Sequence, residues 1–314
     1  MISPEATMRE FGVSETMALL EGAARGIRKA ADDPDEDAVH KMRVGIRRFQ
    51  QSIRLFAQFF RPKGVRQVRS DLKSVMTPAG DLRNYDIALK LVGAKSGAYR
   101  ILAARRVEAQ TALATVLREL GSEDLAARWK DRLERSNSAK KSERKLWRGK
   151  RSVQANLRRQ MPELVEDYFA VGDTALQLGR SWEELHGFRL LTKRFRYTLE
   201  LLRPAYGRSL DTKIELLRRL QTLLGDMNDS VVTSGMLAEV PRTERIRARL
   251  AAKAERLTHE LRKLWAEQFA APARRLGWQR YLVQYACRAR SAPAAVTTPE
   301  NVSEDATNPA EPVV

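Results

Sequence analysis

The chain has 314 residues, 43% of them apolar and 31% charged, enough for one large or two medium domains with cores of their own. Lys and Arg outnumber Asp and Glu by 57 to 39, a formal charge of +18, so a polyanion is the first partner to consider. Cys287 is the only cysteine, which excludes an internal disulfide; no run of eighteen apolar residues occurs, which excludes a helical membrane span. Met1 to Gly12 lacks the apolar run of a signal peptide, and a cytoplasmic protein is expected.

Along the chain, apolar residues recur at helical rather than alternating spacing. The first clear stripe is Val39, Met42, Ile46, Phe49, Ile53, Phe56 and Phe60. Others run through Ile101 to Leu120, Leu185 to Leu202, Ile214 to Leu224 and Ile246 to Phe269. Helix ends or turns are expected at Asp33-Pro34-Asp35, Arg61-Pro62-Lys63-Gly64, Pro78-Ala79-Gly80, Arg203-Pro204 with Gly207, and Pro241. No segment reads as a strand, so the fold class is all-α. The Ser- and Lys-rich stretch 139–149 reads as a connection between halves at 12–138 and 150–290. Residues 291–314, with four acids and no base, read as a disordered tail.

The halves repeat one another. Val39-His40-Lys41-Met42-Arg43 through Arg47-Arg48-Phe49 aligns with Leu185-His186-Gly187-Phe188-Arg189 through Lys193-Arg194-Phe195, about 145 residues on. In the same order and at nearly the same offset, Leu72-Lys73 with Gly80-Asp81-Leu82-Arg83-Asn84 aligns with Leu217-Arg218 with Gly225-Asp226-Met227-Asn228-Asp229. Chance similarity between amphipathic helices would not keep His, Arg and a basic pair in register.

At about 100° per residue, Arg43, Arg47 and Arg54 fall within roughly 60° of His40, while Val39, Met42, Ile46, Phe49, Ile53 and Phe56 gather on another arc. One face of the helix builds a core and the other presents cations in a row. His186, Arg189 and Lys193 form the equivalent stripe, with Arg196 at its border and Glu200 in the place of Arg54. The exchange is expected either to shorten the second stripe or to give it an internal ion pair. Like charges at this spacing destabilise a helix, and a protein needing only solubility would intersperse acids. Guanidinium groups pair with phosphate oxygens bidentately and stay charged, so such a row suits a chain of phosphates. Arg66, Arg69 and Lys73 extend the pattern onto the next helix, but only Lys73 has a basic counterpart, Arg218.

The pattern Val-His-x-x-Arg-Val-x-x-Arg-Arg, the later Gly-x-Leu-Arg, then Leu-His-x-x-Arg-x-x-x-Lys-Arg-x-Arg-Tyr and Leu-Gly-Asp-x-Asn-Asp resembles the CHAD family, whose name stands for a conserved-histidine α-helical domain. The resemblance covers about Thr16 to Arg290, nearly everything outside the tail, and one CHAD-like domain is expected at 12–290. It implies two four-helix bundles related by a pseudo-twofold axis around a basic central groove that binds inorganic polyphosphate. Carried over by position, the binding set is His40, Arg43, Arg47, Arg48, Lys73 and Arg83, with His186, Arg189, Lys193, Arg194, Arg196 and Arg218; Arg54 joins it from the stripe. Asn84 departs from the family's usual Asp, whereas Asp229 keeps the acid in the second half.

Other readings weigh less. A phosphoryl-transfer enzyme, such as a metal-dependent phosphohydrolase, would need a phosphate-cradling glycine loop or metal carboxylates. Asp226 and Asp229 are the one candidate acid pair, expected instead to lie near a helix start as caps. No catalytic residue, metal or cofactor is expected. Non-specific nucleic-acid binding needs only Lys and Arg, but base stacking would want aromatics on the basic face. Phe49, Phe188 and Phe195 fall on the core side, and Tyr197 is the one aromatic on the stripe. Polyphosphate storage or granule targeting is the role expected from the resemblance.

Overall fold

The computed structural model describes residues 6–121, 124–134 and 146–286; the acidic tail 291–314 and most of the connection lie outside them. The described residues form ten α-helices: α1 (Met8–Asp32), α2 (Glu36–Phe56), α3 (Pro62–Val92), α4 (Gly97–Leu120), α5 (Leu125–Glu134), α6 (Val153–Ala175), α7 (Trp182–Tyr206), α8 (Asp211–Met236), α9 (Glu244–Trp265) and α10 (Pro272–Gln284). Each half therefore has four long helices and a short fifth, α5 or α10, beyond the four expected.

The helices start where the sequence supplies caps. Asp35 caps α2 by accepting from the Ala38 N–H at 2.6 Å, and Ser181, its repeat counterpart, caps α7 in a capping box with Glu184. Pro62 opens α3 at a position where its missing N–H costs nothing, and Gly207, with φ of 70°, ends α7. Pro78-Ala79-Gly80 does not form the expected turn: α3 runs straight through Pro78. An internal proline loses one helical hydrogen bond, but Val75, Ala79 and Leu82 on either side are buried and hold the helix together. Pro204 is likewise inside α7.

The stripe on α2 packs as its spacing requires. Val39, Met42, Ile46, Phe49, Ile53 and Phe56 are all buried, each contributing on the order of 1.5–3 kcal/mol in burial. The second half builds its core from rings: Tyr168 stacks on Phe195 at 4.4 Å, and Trp265 on Phe269 at 4.7 Å. A smaller apolar cluster of Ala88, Val92, Leu102, Leu237, Val240 and Leu250 joins the ends of α3 and α4 to α8 and α9. The connection is less polar than it reads. Trp147 at its end is fully buried, and its indole N–H donates to the Leu55 carbonyl at 2.9 Å.

The halves meet about a pseudo-twofold axis. Thr7, the N-cap of α1, forms an antiparallel bridge with Ser152, the N-cap of α6. Met8 N–H donates to the Arg151 carbonyl at 2.9 Å and Val153 N–H to the Ala6 carbonyl at 3.1 Å. Thr7 and Ser152 are equivalent in the repeat, and equivalent residues pair with each other only beside a twofold axis. Nearer the centre α2 packs on α7 and α3 on α8; the Gln51 amide donates to the Thr198 hydroxyl at 2.9 Å across the α2–α7 seam. These four helices carry every candidate site residue.

Candidate functional site: a basic cleft across the pseudo-dyad

Both basic stripes reach one shared region. Arg47 of α2 and Arg83 of α3 lie close enough to Arg43 of α2 and to Arg189 and Lys193 of α7 to lower the proton affinity of those three. Burial, then the neighbouring Arg189, Arg47 and Arg83, push the Lys193 ammonium down to about 7. Burial, with Arg47 and Arg83 nearby, lowers Arg43 to about 9, so it stays cationic at neutral pH. Arg43 is 6% exposed and donates to the Ala79 carbonyl of α3, which sets it in the floor of the site. Its counterpart Arg189 is 8% exposed, and its Nε has no hydrogen-bond partner. Against these five cations stand Asp229 of α8, 3.8 Å from Arg83, and Asp86 and Asp81 of α3, which favour the charged form of Arg43.

The region opens into a cleft of 550 Å³ lined by Arg47, Gln50, Gln51, Arg54, Arg69, Leu190, Lys193, Arg194 and Tyr197. Burial, then Arg194 and Arg69, lower the Arg54 guanidinium. Arg47 and Lys193 therefore belong to both groups, and the cations run continuously from Arg43 and Arg189 to Arg54, Arg69 and Arg194. Arg69 belongs here although it has no basic counterpart in the second half. Gln50, Gln51 and Leu190 also line the cleft and were not signalled by charge; Gln51 could have been suspected only from its place one turn before Arg54 on the same helix.

The remaining candidates are placed differently. His40 is exposed near the start of α2, close to Glu36 and Asp37. His186 is half-buried, its Nδ1 3.1 Å from the Asn228 Oδ1 of α8, with its ring 5.9 Å from that of Trp182. Lys73 is exposed on α3, one turn beyond Arg69. Arg48, Arg196 and Arg218 turn away from the cleft toward one carboxylate, Glu200, and Arg218 also pairs with Glu215 at 3.1 Å. Arg48 Nε is 3.9 Å and Arg218 Nη2 3.4 Å from Glu200, and Arg196 pairs with it directly. Arg196 also donates to the Gln221 amide oxygen at 2.7 Å and covers the Tyr197 ring at 4.4 Å. Of the two outcomes foreseen for Glu200, the internal ion pair is the one observed.

Asp226 and Asp229 do not cap a helix start. Both lie well inside α8, with Asp226 exposed and Asp229 facing Arg83. Among the described residues no three His, Cys, Asp or Glu side chains come together as a metal site, and no helix is long and apolar enough to cross a membrane. Phe49, Phe188 and Phe195 are buried in the core, and Tyr197 is 8% exposed beneath Arg196, so none of these four rings is open for a base to stack on.

The fold has known relatives. The crystal structure of the CHAD domain from the plant Ricinus communis matches with a TM-score of 0.59 at 22% identity, over 90% of this chain and 93% of that one. PptA from Streptomyces chartreusis matches with a TM-score of 0.52 at 17% identity, over 88% of this chain and 99% of that one. At such identities the likeness is one of fold. No curated protein sequence matches. The family model described as the CHAD domain matches residues 16–238, most of the chain and both histidine motifs, and the chain therefore belongs to the CHAD domain family.

Proposed function

We propose that the protein binds inorganic polyphosphate along the cleft between α2, α3 and α7, and does so without chemical turnover. The observation that carries this reading is the crowding of Arg43, Arg47, Arg83, Arg189 and Lys193, only partly offset by Asp229, Asp86 and Asp81, to the point where Lys193 loses its charge near neutrality. Cations held this close repel one another, and the arrangement is relieved by a ligand carrying negative charge at short, regular intervals. Membership of a family with polyphosphate binding as a general property supports the same ligand class. The burial of Phe49, Phe188, Phe195 and Tyr197 favours a phosphate chain without bases over nucleic acid. Such a protein would serve polyphosphate storage or attachment to polyphosphate granules.

The test is competition of labelled long-chain polyphosphate by unlabelled polyphosphate, triphosphate, duplex DNA, single-stranded RNA and heparin at one ionic strength. Long polyphosphate is expected to displace the label at the lowest phosphate concentration. The logarithm of its affinity should fall linearly with that of salt, and the slope should flatten when Arg47 and Lys193 are both changed to Ala. DNA or RNA competing equally would replace this reading with nucleic-acid binding, and triphosphate competing equally would leave only a small phosphate pocket. Incubation with Mg²⁺ or Mn²⁺ should leave the chain-length distribution unchanged; shortening that Asp229→Asn abolishes would establish an enzyme.

A further inference from the structure

The cleft has a counterpart on the other side of Tyr197. The internal repeat maps Arg54 onto Glu200, Arg194 onto Arg48, Gln51 onto Tyr197 and Arg69 onto Ile214. Arg48, Tyr197, Glu200 and Ile214 all line a second cleft of 1270 Å³, which is thus the pseudo-twofold mate of the first. At the position where the first cleft has a guanidinium, the second has a carboxylate.

That carboxylate is held as an anionic ligand would be. Its side chain is 11% exposed and three guanidinium groups converge on it: Arg196 by a direct pair, Arg218 at 3.4 Å and Arg48 at 3.9 Å. Carboxylate and phosphate oxygens offer a guanidinium the same acceptor geometry, so a group already paired in this way is withdrawn from a phosphate chain. Three other carboxylates line the cleft, Glu15, Glu215 and Asp211, the last paired with Arg203 at 2.6 Å, and cations outnumber them. Lys213 lies in it, 4.5 Å over the Trp278 ring, with burial lowering its proton affinity.

We propose that Glu200 is a fixed internal counter-ion that closes the second cleft to polyphosphate and confines the chain to the first. Removing its charge should convert the second cleft into an additional phosphate-binding arm. The proposal rests on the polyphosphate reading given above. Arg48 and Arg218, with side chains 51% and 52% exposed, face solvent once Glu200 is neutral; Arg218 keeps a pair with Glu215 at 3.1 Å, but that carboxylate is 59% exposed and the pair is weak enough for a phosphate chain to displace. Arg196 stays with Gln221 and the Tyr197 ring.

The experiment compares wild type with Glu200→Gln, measuring long-chain polyphosphate affinity across a salt series. Two released cations should steepen the slope of log affinity against log salt by about 1.4–1.8, so the loss between 50 and 200 mM salt grows about tenfold. An unchanged slope in a folded Glu200→Gln protein overturns the proposal. Arg218→Ala gives a second reading that does not depend on that variant folding. Although the family resemblance would count Arg218 as a ligand, in the wild-type background its removal should leave affinity and slope unchanged, because Glu200 and Glu215 together already occupy it. In the Glu200→Gln background it should remove about half of the gain. A flattening by Arg218→Ala in the wild-type background overturns the proposal. The double variant Arg47→Ala with Lys193→Ala separates the two levels. If it binds like wild type, or wild type does not bind, the first-cleft reading itself fails; if it loses binding while Glu200→Gln changes nothing, only the counter-ion proposal fails.

Discussion

Lys193 makes polyphosphate binding sensitive to pH in a direction and range that the structure specifies. Its ammonium is brought down to about 7 by burial and by Arg189 on its own helix, Arg47 on α2 and Arg83 on α3, with Asp229 on α8 the opposing influence. A phosphate chain laid over it adds negative charge and restores the protonated form, so above pH 7 the complex takes up a proton on forming. If the bound lysine returns to its ordinary range, affinity falls about tenfold per pH unit well above 7, on the order of 50-fold between pH 7 and pH 9. The assay is fluorescence anisotropy of labelled polyphosphate at constant ionic strength from pH 6 to pH 9, with proton uptake read by calorimetry in buffers of different ionisation enthalpy. Lys193→Arg should bind with little pH dependence over the same range, since a guanidinium keeps its charge. The ligand-free protein should respond with the opposite sign. The unfolded chain holds more protons than the folded one between pH 7 and the ordinary lysine value of 10.5, so stability rises as pH rises through that window. A wild-type affinity flat from pH 7 to pH 9, or an equal fall in Lys193→Arg, would refute the reasoning.

Two further outcomes are expected. Asp229→Asn removes the carboxylate 3.8 Å from Arg83, and should raise polyphosphate affinity while lowering the melting temperature of the free protein by adding to the repulsion among the five cations; a drop in affinity would mean that Asp229 orients Arg83 toward the ligand. Gly64→Ala would place a methyl group 1.8 Å from the Arg132 carbonyl oxygen, where α3 passes close to α5, and urea unfolding should register a loss of about 1–3 kcal/mol or more.

Much of this was legible from residue spacing. The apolar stripe of α2 and its separation from the cationic face are consequences of a 3.6-residue period, the repeat shows in motifs that recur in the same order, and the structure reproduces all three. Glu200 in place of Arg54 could be read as an internal ion pair because Arg196 lies one turn before it. Charge spacing on one helix could not show that Arg48 and Arg218 converge on the same carboxylate, because that depends on how α2, α7 and α8 cross. Arg69 has no basic counterpart in the repeat, and a reading that asks for one fails where the clefts differ. Pro78 reads as a break because local steric preference takes no account of the buried Val75, Ala79 and Leu82 that carry α3 past it. Trp147 gives no periodic signal at all, being a single large apolar residue beside a Lys-rich stretch.

The pairing of Thr7 with Ser152 has a consequence for how the two clefts could differ. A symmetric dimer of identical chains also sets equivalent residues against each other across its axis, and there every substitution is made twice. Here the two sides of the axis belong to one chain and are encoded separately. Arginine at 54 therefore does not impose arginine at 200, and the electrostatic strain of an open cationic channel need be borne on one side only. A protein that began as two equal surfaces can in this way keep one for its ligand and give the other over to holding itself together.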